Sequence, residues 1–168
     1  MQLLKTINPE KVDENNIPGW EHRKAARAVV FDNENRIGLL HVSGKGYYKL
    51  PGGGIEEGED IKNALDRECH EELGVGVEVL KEIGSIVEYR GQFKLQQISY
   101  CFLALTSSEK KAPNFTDEEK SSGFGIVWVE PKKALELLGL KQTTDYEGKF
   151  IEERDFCFLE KALREAKT

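Results

Sequence analysis

The sequence predicts an α/β fold in which helices cover the faces of a mixed β-sheet. Apolar runs of strand length are interleaved with segments of helical periodicity, which is typical of that class. Several consecutive strands are separated by short turns and should pair antiparallel, so the sheet is expected to be mixed. At about 150 residues per domain, the 168 residues predict a single domain over residues 1–168.

The first predicted strands form a hairpin. The runs ARAVVF and RIGLLHV flank the turn residues DNEN, which is typical of two strands joined by a short turn. Residues 47–50 are predicted as a short third strand that ends at Pro51. Three successive glycines follow, with Gly58 shortly after, so residues 51–59 are predicted to be a loop.

The next element is a helix with a signal at each end. Asp60 is the predicted N-cap and Gly74 the expected C-terminal stop, so the helix should span Ile61–Leu73. Residues 75–89 and 93–106 are predicted as long strands joined at RGQF. The polar residues 107–122 should be either functional or disordered, because a loop of this length is unusual in a compact domain.

The C-terminal part is predicted to contain one strand and two helices. Residues 126–129 should form the last strand, and Pro131 fits the first turn of a helix that ends near Leu138. A second helix is expected over about 150–166, with Phe156 and Leu159 on its apolar side.

Composition and charge exclude several function classes. The net charge of −6 argues against nonspecific binding to a nucleic-acid polymer and against a polybasic membrane patch. No apolar run approaches the roughly 20 residues of a membrane span, and the N-terminal residues lack the apolar stretch of a secretion signal. The three cysteines include no CxxC spacing, so reduced thiols and a cytoplasmic location are expected.

Three glutamates on the predicted helix indicate metal chemistry. Glu68, Glu71 and Glu72 stand at i, i+3 and i+4, so they are neighbours of like charge. On a helical wheel, Glu68 and Glu72 share the azimuth of the apolar Ile61 and Leu65. Crowded, partly buried carboxylates either take up protons or share a cation, and their hard oxygens suit magnesium or manganese. A solvated acidic face is the alternative that this pattern alone leaves open.

The wider spacing resembles the signature box of the Nudix (MutT-type) hydrolases, G-x5-E-x7-R-E-U-x-E-E-x-G-U, where U is a bulky aliphatic residue. Residues 53–75 carry all seven fixed letters. Val75 fits its U position, whereas Cys69 departs from the pattern and is expected to pack as a small hydrophobe. The resemblance implies a Nudix-like α/β/α sandwich and hydrolysis of a nucleoside diphosphate linked to another moiety.

The resemblance also implies roles for matched residues. Glu68, Glu71 and Glu72 would hold Mg2+, with Mn2+ as an alternative, and one of them would orient or deprotonate the attacking water. The backbone carbonyl of Gly52 would be a further metal ligand. The structural residues of the box would lock the loop against the helix; they are Gly53, Glu59, Arg67 and Gly74.

Further residues are candidates for contacting the substrate. His41 follows Leu40, where many members of the family carry a phosphate-binding arginine. Glu118 and Glu119 lie in the polar segment, from which some members supply an extra glutamate. Tyr146, Lys149 and Arg154 could meet the far end of the substrate. For each of these residues, an ordinary surface or strand-edge role is the alternative.

Two further function classes stay open at this stage. A non-catalytic Nudix-fold module could sense a nucleotide, and an interaction domain could carry an acidic helix by chance. Family members that cleave ADP-ribose often carry a proline shortly after the box, and those that cleave dinucleoside polyphosphates often carry a tyrosine slightly further on. Neither mark is found at its expected position in this sequence. A small nucleotide, with nucleoside triphosphate favoured, is therefore the expected partner, and a homodimer is allowed because many relatives are dimers.

Overall fold

The computed structural model describes residues 1–166; the last two residues of the predicted domain, 167 and 168, lie outside the described residues. Eight strands and four helices are found in that range. In chain order the elements are β1 Leu3–Ile7, β2 Glu21–Phe31, β3 Ile37–Val42, β4 Tyr47–Lys49, β5 Gly52–Gly54, α1 Ile61–Leu73, β6 Val77–Arg90, β7 Leu95–Thr106, α2 Asp117–Ser121, β8 Phe124–Val129, α3 Pro131–Leu138 and α4 Tyr146–Ala166.

All of these strands belong to one mixed sheet. The path runs β1-β6-β7-β2-β3-β4, with β5 added beside β2 and β8 added beside β3. β1 runs parallel to β6, and β2 runs parallel to β7, while the other pairs are antiparallel. Since β2 is a central strand, residues 25–30 are buried on both faces, and all of them except Arg27 are small or apolar.

The helices form the two outer layers of the sandwich. On one face, α1 packs Leu65, Cys69 and Leu73 against Ala28 and Val30 of β2. On the other face, α3 and α4 cover a second core that includes Val29, Leu39, Phe158 and Leu159. The expected mixed sheet with helices on its faces is therefore confirmed, and Cys69 packs in the core as predicted.

Most predicted elements are confirmed, and their boundaries are corrected in places. α1 has the predicted limits, with the Asp60 side chain accepting the amides of Lys62 and Asn63 and Gly74 left-handed at φ 68°. α4 begins at Tyr146 and not near residue 150, because Asp145 accepts the Gly148 amide. The predicted loop 51–59 contains β5, which pairs with β2 through backbone atoms that a Gly-Gly-Gly sequence does not reveal.

Two further elements were not predicted. The polar segment 107–122 contains α2, and β1 precedes the predicted hairpin. No helix in residues 1–166 has the length and apolar character needed to cross a membrane. The fold brings β2, the β4–β5 connection and the second half of α1 together, and the candidate site lies at this junction.

Candidate active site

The second half of α1 buries two of its three glutamates. Glu68 and Glu72 are 9% and 2% exposed, whereas the Glu71 side chain is 40% exposed. The inward stripe of α1 thus changes from aliphatic to carboxylate, as its periodicity predicts. A Cβ at residue 53 would collide with the Glu68 carboxylate, so Gly53 permits the close approach of β5 to this side chain.

Gly52 is held by polar partners on both its amide and its carbonyl. Its N–H donates to Glu72 Oε2 at 2.7 Å, and its carbonyl accepts from Lys49 Nζ at 3.3 Å and from Arg27 Nη1. Its φ of 133° favours glycine, and a Cβ there would collide with the Ala26 carbonyl. The backbone of Gly52 is therefore fixed tightly beside the glutamates.

Lys49 forms a buried ion pair with Glu72. The Nζ–Oε1 distance is 2.7 Å, and the two side chains are 9% and 2% exposed. Burial raises the pKa of Glu72, and the positive charge of Lys49 opposes that rise without cancelling it. Burial also lowers the pKa of Arg27 to about 10, with the nearby Arg154 charge adding to the effect.

Glu71, at the edge of the helix, lies close to the like charge of another carboxylate. Burial raises its pKa, and the neighbouring Glu68 carboxylate raises it further. Arg67 opposes this, since its Nη1 lies 2.9 Å from Glu68 Oε1 and 3.4 Å from Glu71 Oε2. Protein cations therefore relieve part of the repulsion between the glutamates.

Arg67 also ties the loop before α1 to the helix. Its Nε and Nη2 donate to the two Glu59 oxygens at 2.9 and 3.0 Å, and Nη2 reaches the Gly54 carbonyl at 3.1 Å. The Arg67 hydrogen bonds lower the pKa of Glu59. This bidentate contact fixes β5 relative to the helix that carries the glutamates.

We predict that Arg67→Ala lowers both stability and activity. The loop and helix would lose their link, so Tm should fall by several degrees and kcat/KM by up to about a hundredfold. Thermal unfolding and steady-state kinetics measure the two effects. The control is His70→Ala, an exposed side chain on the same helix, which should leave both values unchanged. Unchanged activity in Arg67→Ala would contradict the positioning role.

A cleft of about 340 Å³ opens above this junction. Carboxylates and cations line it together. The carboxylates are Glu68, Glu72, Glu118, Glu119 and Glu147, and the cations are Arg23, Arg27, Lys45 and Lys49. A cleft lined by both signs can hold a metal cation on its acidic side and an anionic ligand on its basic side.

The polar segment 107–122 is anchored to α1 and to the end of β3. The amides of Lys111 and Asn114 donate to the carbonyls of Gly74 and Glu71 at 2.9 and 2.7 Å. The Gly44 amide donates to the Ser122 carbonyl at 2.9 Å. These bonds hold the segment against α1 and β3 and place α2 at the cleft.

Glu118 and Glu119 both line the cleft but differ in their contacts. Glu119 forms a capping box with Thr116, in which its carboxylate accepts the Thr116 amide at 2.8 Å. Glu118 makes no side-chain hydrogen bond or ion pair within residues 1–166. Glu118 is therefore the freer of the two to contact a ligand.

Replacing residues 116–120 with Gly and Ser should impair catalysis more than folding. The change removes both glutamates from the cleft, so KM should rise or kcat should fall. The lost capping box costs about 1 kcal/mol, or roughly 2–4 °C in Tm. Kinetics and thermal unfolding of the same preparation test this, and Glu118→Gln separates the ligand role from the helix. A fully active variant would make both glutamates surface residues.

His41 and Tyr146 lie outside the cleft lining. The His41 ring stacks on Tyr48 with centroids 4.3 Å apart. The Tyr146 hydroxyl donates to Glu10 and accepts the Gln92 amide, so it ties the N-terminal segment to the β6–β7 turn. Arg154 is wholly buried, so the prediction that it could meet the substrate is wrong.

Sequence reasoning missed the cations of the cleft. Arg27 is the one charged residue in the apolar run ARAVVF, and a buried charge in such a run is the signal that could have found it. Arg23, Lys45 and Lys49 carry no such signal, because they come from different elements that only the fold brings together.

The oxygen donors of the site suit a hard divalent cation. Some of these oxygens already accept hydrogen bonds, which limits how many are available to bind the ion. Within the described range, Glu68 Oε2 and Glu71 Oε1 accept no hydrogen bond, so both are available. Both Glu72 oxygens have partners, and the Gly52 carbonyl already accepts two hydrogen bonds. No three Asp, Glu, His or Cys side chains in residues 1–166 already converge as a metal centre. A cation would therefore have to draw the donors together and would compete with Lys49 for Glu72.

Comparisons with known proteins find relatives of similar sequence and of similar fold. The chain is 28% identical over 144 residues to an RNA pyrophosphohydrolase of Dinoroseobacter shibae, covering 73% of this chain and 85% of that protein. It is 28% identical over 161 residues to Nudix hydrolase 25 of Arabidopsis thaliana, covering 83% and 86%. A MutT protein from Methanosarcina mazei Go1 has a similar structure, with a TM-score of 0.62, 20% identity and coverage of 89% and 98%.

The family assignment rests on a match that spans most of the chain. Residues 21–159 match the sequence model of the NUDIX domain. They include the whole box, the cleft cations and all but the last residues of α4. The protein therefore belongs to the Nudix (MutT-type) hydrolase family.

Proposed function

We propose that this protein is a magnesium-dependent pyrophosphohydrolase that cleaves a diphosphate linkage in a small nucleotide, with nucleoside triphosphates preferred. The observation that carries the proposal is the cleft, whose lining combines two box glutamates, Glu68 and Glu72, with a set of cations, while Glu71 lies outside this lining. This arrangement suits a phosphate chain that lies between a metal and basic side chains.

Glu68 and Glu71 are proposed as the primary metal ligands, because each keeps an oxygen without a hydrogen-bond partner. Glu72 and the Gly52 carbonyl would join them when Lys49 gives up its contacts. Mn2+ would suit the same oxygen donors. When bound, the ion would polarise the P–O bond and lower the pKa of a water molecule.

The cations of the cleft are proposed to bind the phosphates. Arg23 and Lys45 line the cleft and form no ion pair within residues 1–166, so their charges are available. Together with Lys49 they place three positive charges in the lining of the cleft, which favours a triphosphate over a shorter phosphate chain. Each cation would position the phosphate chain of the substrate and neutralise its charge. One of the box glutamates would orient or deprotonate the attacking water.

A free nucleotide is proposed in preference to an RNA end, because the net charge of −6 opposes binding of a polyanion. The name of the Dinoroseobacter relative makes a triphosphorylated RNA end the specific competitor. The three cysteines are free thiols, which is compatible with the proposed cytoplasmic location.

Phosphate release from a panel of substrates, with and without magnesium, tests this proposal. The panel contains nucleoside mono-, di- and triphosphates, nucleotide sugars and a 5′-triphosphorylated oligoribonucleotide. We expect magnesium-dependent hydrolysis of triphosphates and none of monophosphates, which cannot span the metal and supply a leaving group. Faster hydrolysis of the oligoribonucleotide than of the free nucleoside triphosphates would make an RNA end the substrate instead. Nucleotide binding without hydrolysis across the panel would support the sensor alternative.

A further inference from the structure

The segment that carries Gly52 is clamped from three elements. From α1, Glu72 accepts the Gly52 amide at 2.7 Å; from β2, the Ala28 amide donates to the Pro51 carbonyl at 3.2 Å. From α4, on the opposite face of the sheet, Asp155 Oδ2 accepts the Leu50 amide at 2.8 Å. The connection between β4 and β5 is thus held on both faces of the sheet.

Asp155 belongs to a buried group of charges, called here the α4 charge network: Glu88, Arg90, Arg154 and Asp155. Arg154 Nε donates to Asp155 Oδ1 at 2.7 Å, and Arg154 Nη1 donates to Glu88 Oε2 at 3.2 Å. Glu88 Oε1 accepts from Arg90 Nη2 at 3.0 Å. All four side chains are at most 2% exposed.

This network is an inefficient way to stabilise a core. Arg154 Nη2 and Arg90 Nε are buried without a hydrogen-bond partner in residues 1–166. Buried charges cost desolvation free energy, and well-packed apolar residues often replace them without loss of stability. Asp155 is the member of this network that also binds the backbone of the β4–β5 connection, where its Oδ2 accepts the Leu50 amide.

We propose that Asp155 is a positioning residue for catalysis: it acts through the Leu50 amide to fix the backbone at Gly52 and Gly53. The proposal rests on the function proposed above. Gly52 contacts Glu72, Lys49 and Arg27, and Gly53 lies against Glu68, so a shift of this segment moves both the glutamates and the cations that it contacts. A displacement of 1 Å can cost about a hundredfold in rate.

Three variants separate positioning from stability. Asp155→Ala removes the acceptor of the Leu50 amide, and Asp155→Asn keeps a neutral acceptor of about half the strength. Glu88→Gln is the matched control, because it neutralises one charge of the same network and leaves the Asp155–Leu50 bond in place. For each variant, kcat, KM, Tm and the hydrogen-exchange rate of the Leu50 amide are measured.

The proposal expects kcat to fall by about 10–100-fold in Asp155→Ala and by a smaller factor in Asp155→Asn. Exchange of the Leu50 amide should accelerate in the same order. Glu88→Gln should lower Tm as Asp155→Asn does, with kcat within about twofold of wild type. If Asp155→Ala does not fold, the comparison of Asp155→Asn with Glu88→Gln decides.

Equal kcat losses in Glu88→Gln and Asp155→Asn at equal Tm would overturn the proposal, because they would indicate a purely structural role. An unchanged Leu50 exchange rate in the Asp155 variants would overturn it as well. The exchange measurement does not depend on catalysis. A wild-type protein that hydrolyses nothing would therefore refute the proposed function. The exchange rates of the Asp155 variants would still show whether Asp155 holds the Leu50 amide.

Discussion

Replacing Glu68 with glutamine is expected to lower kcat by about 10²–10³-fold while the fold survives. The Glu68 carboxylate lines the cleft, lies against Gly53 and keeps one oxygen without a hydrogen bond in the described range. Glutamine has nearly the same shape, and it relieves repulsion from Glu71. Steady-state phosphate release and thermal unfolding test the two halves of this prediction.

Glu71→Gln and Glu72→Gln should also lower turnover strongly, since each removes a proposed metal ligand. The matched control is Glu136→Gln, because Glu136 is an exposed helical glutamate on α3 that pairs with Lys133 at 3.3 Å. It should keep wild-type kinetics. Wild-type turnover in any one of the three box variants would remove that residue from the site.

Replacing Lys49 with methionine should destabilise the protein and strengthen its response to magnesium. The variant leaves the buried Glu72 carboxylate without its cation, and breaking such a pair costs about 3–5 kcal/mol. It also frees Glu72 Oε1 and one hydrogen-bonding position on the Gly52 carbonyl for a metal ion. Magnesium should therefore raise Tm more in Lys49→Met than in the wild type.

The double variant Lys49→Met/Glu72→Gln provides the internal control. With the unpaired carboxylate removed, part of the lost stability should return, and the additional magnesium response should disappear. Thermal unfolding over a magnesium titration measures both. A magnesium-induced rise in Lys49→Met that is no larger than in wild type would contradict competition between Lys49 and the ion.

Local signals in the sequence predicted the helix that carries the box. Asp60 and Gly74 cap α1 through contacts within a few residues, and the burial of Glu68 and Glu72 follows from helical periodicity. β1 could not be found in this way. Four of its five residues are not buried, and it is held by parallel backbone pairing with β6, about 80 residues later in the chain.

The basic side of the cleft depends on tertiary structure in the same way. Arg27 on β2 and Lys49 on β4 meet at the Gly52 carbonyl because β5 adds to β2 beside them. Asp155 reaches Leu50 across 105 positions of sequence. Motif spacing therefore predicts the box glutamates, whereas most of the residues that position the backbone and line the basic side of the cleft are visible only in the fold.

Hydrolysis of a nucleoside triphosphate in 18O-labelled water tests the central claim most directly. The reaction is run with magnesium, and the products are analysed by mass spectrometry. Attack of water on phosphorus predicts one 18O atom in a phosphate-containing product and no label on the nucleoside. Label on carbon, or no magnesium-dependent hydrolysis of any diphosphate linkage in the panel, would contradict the account.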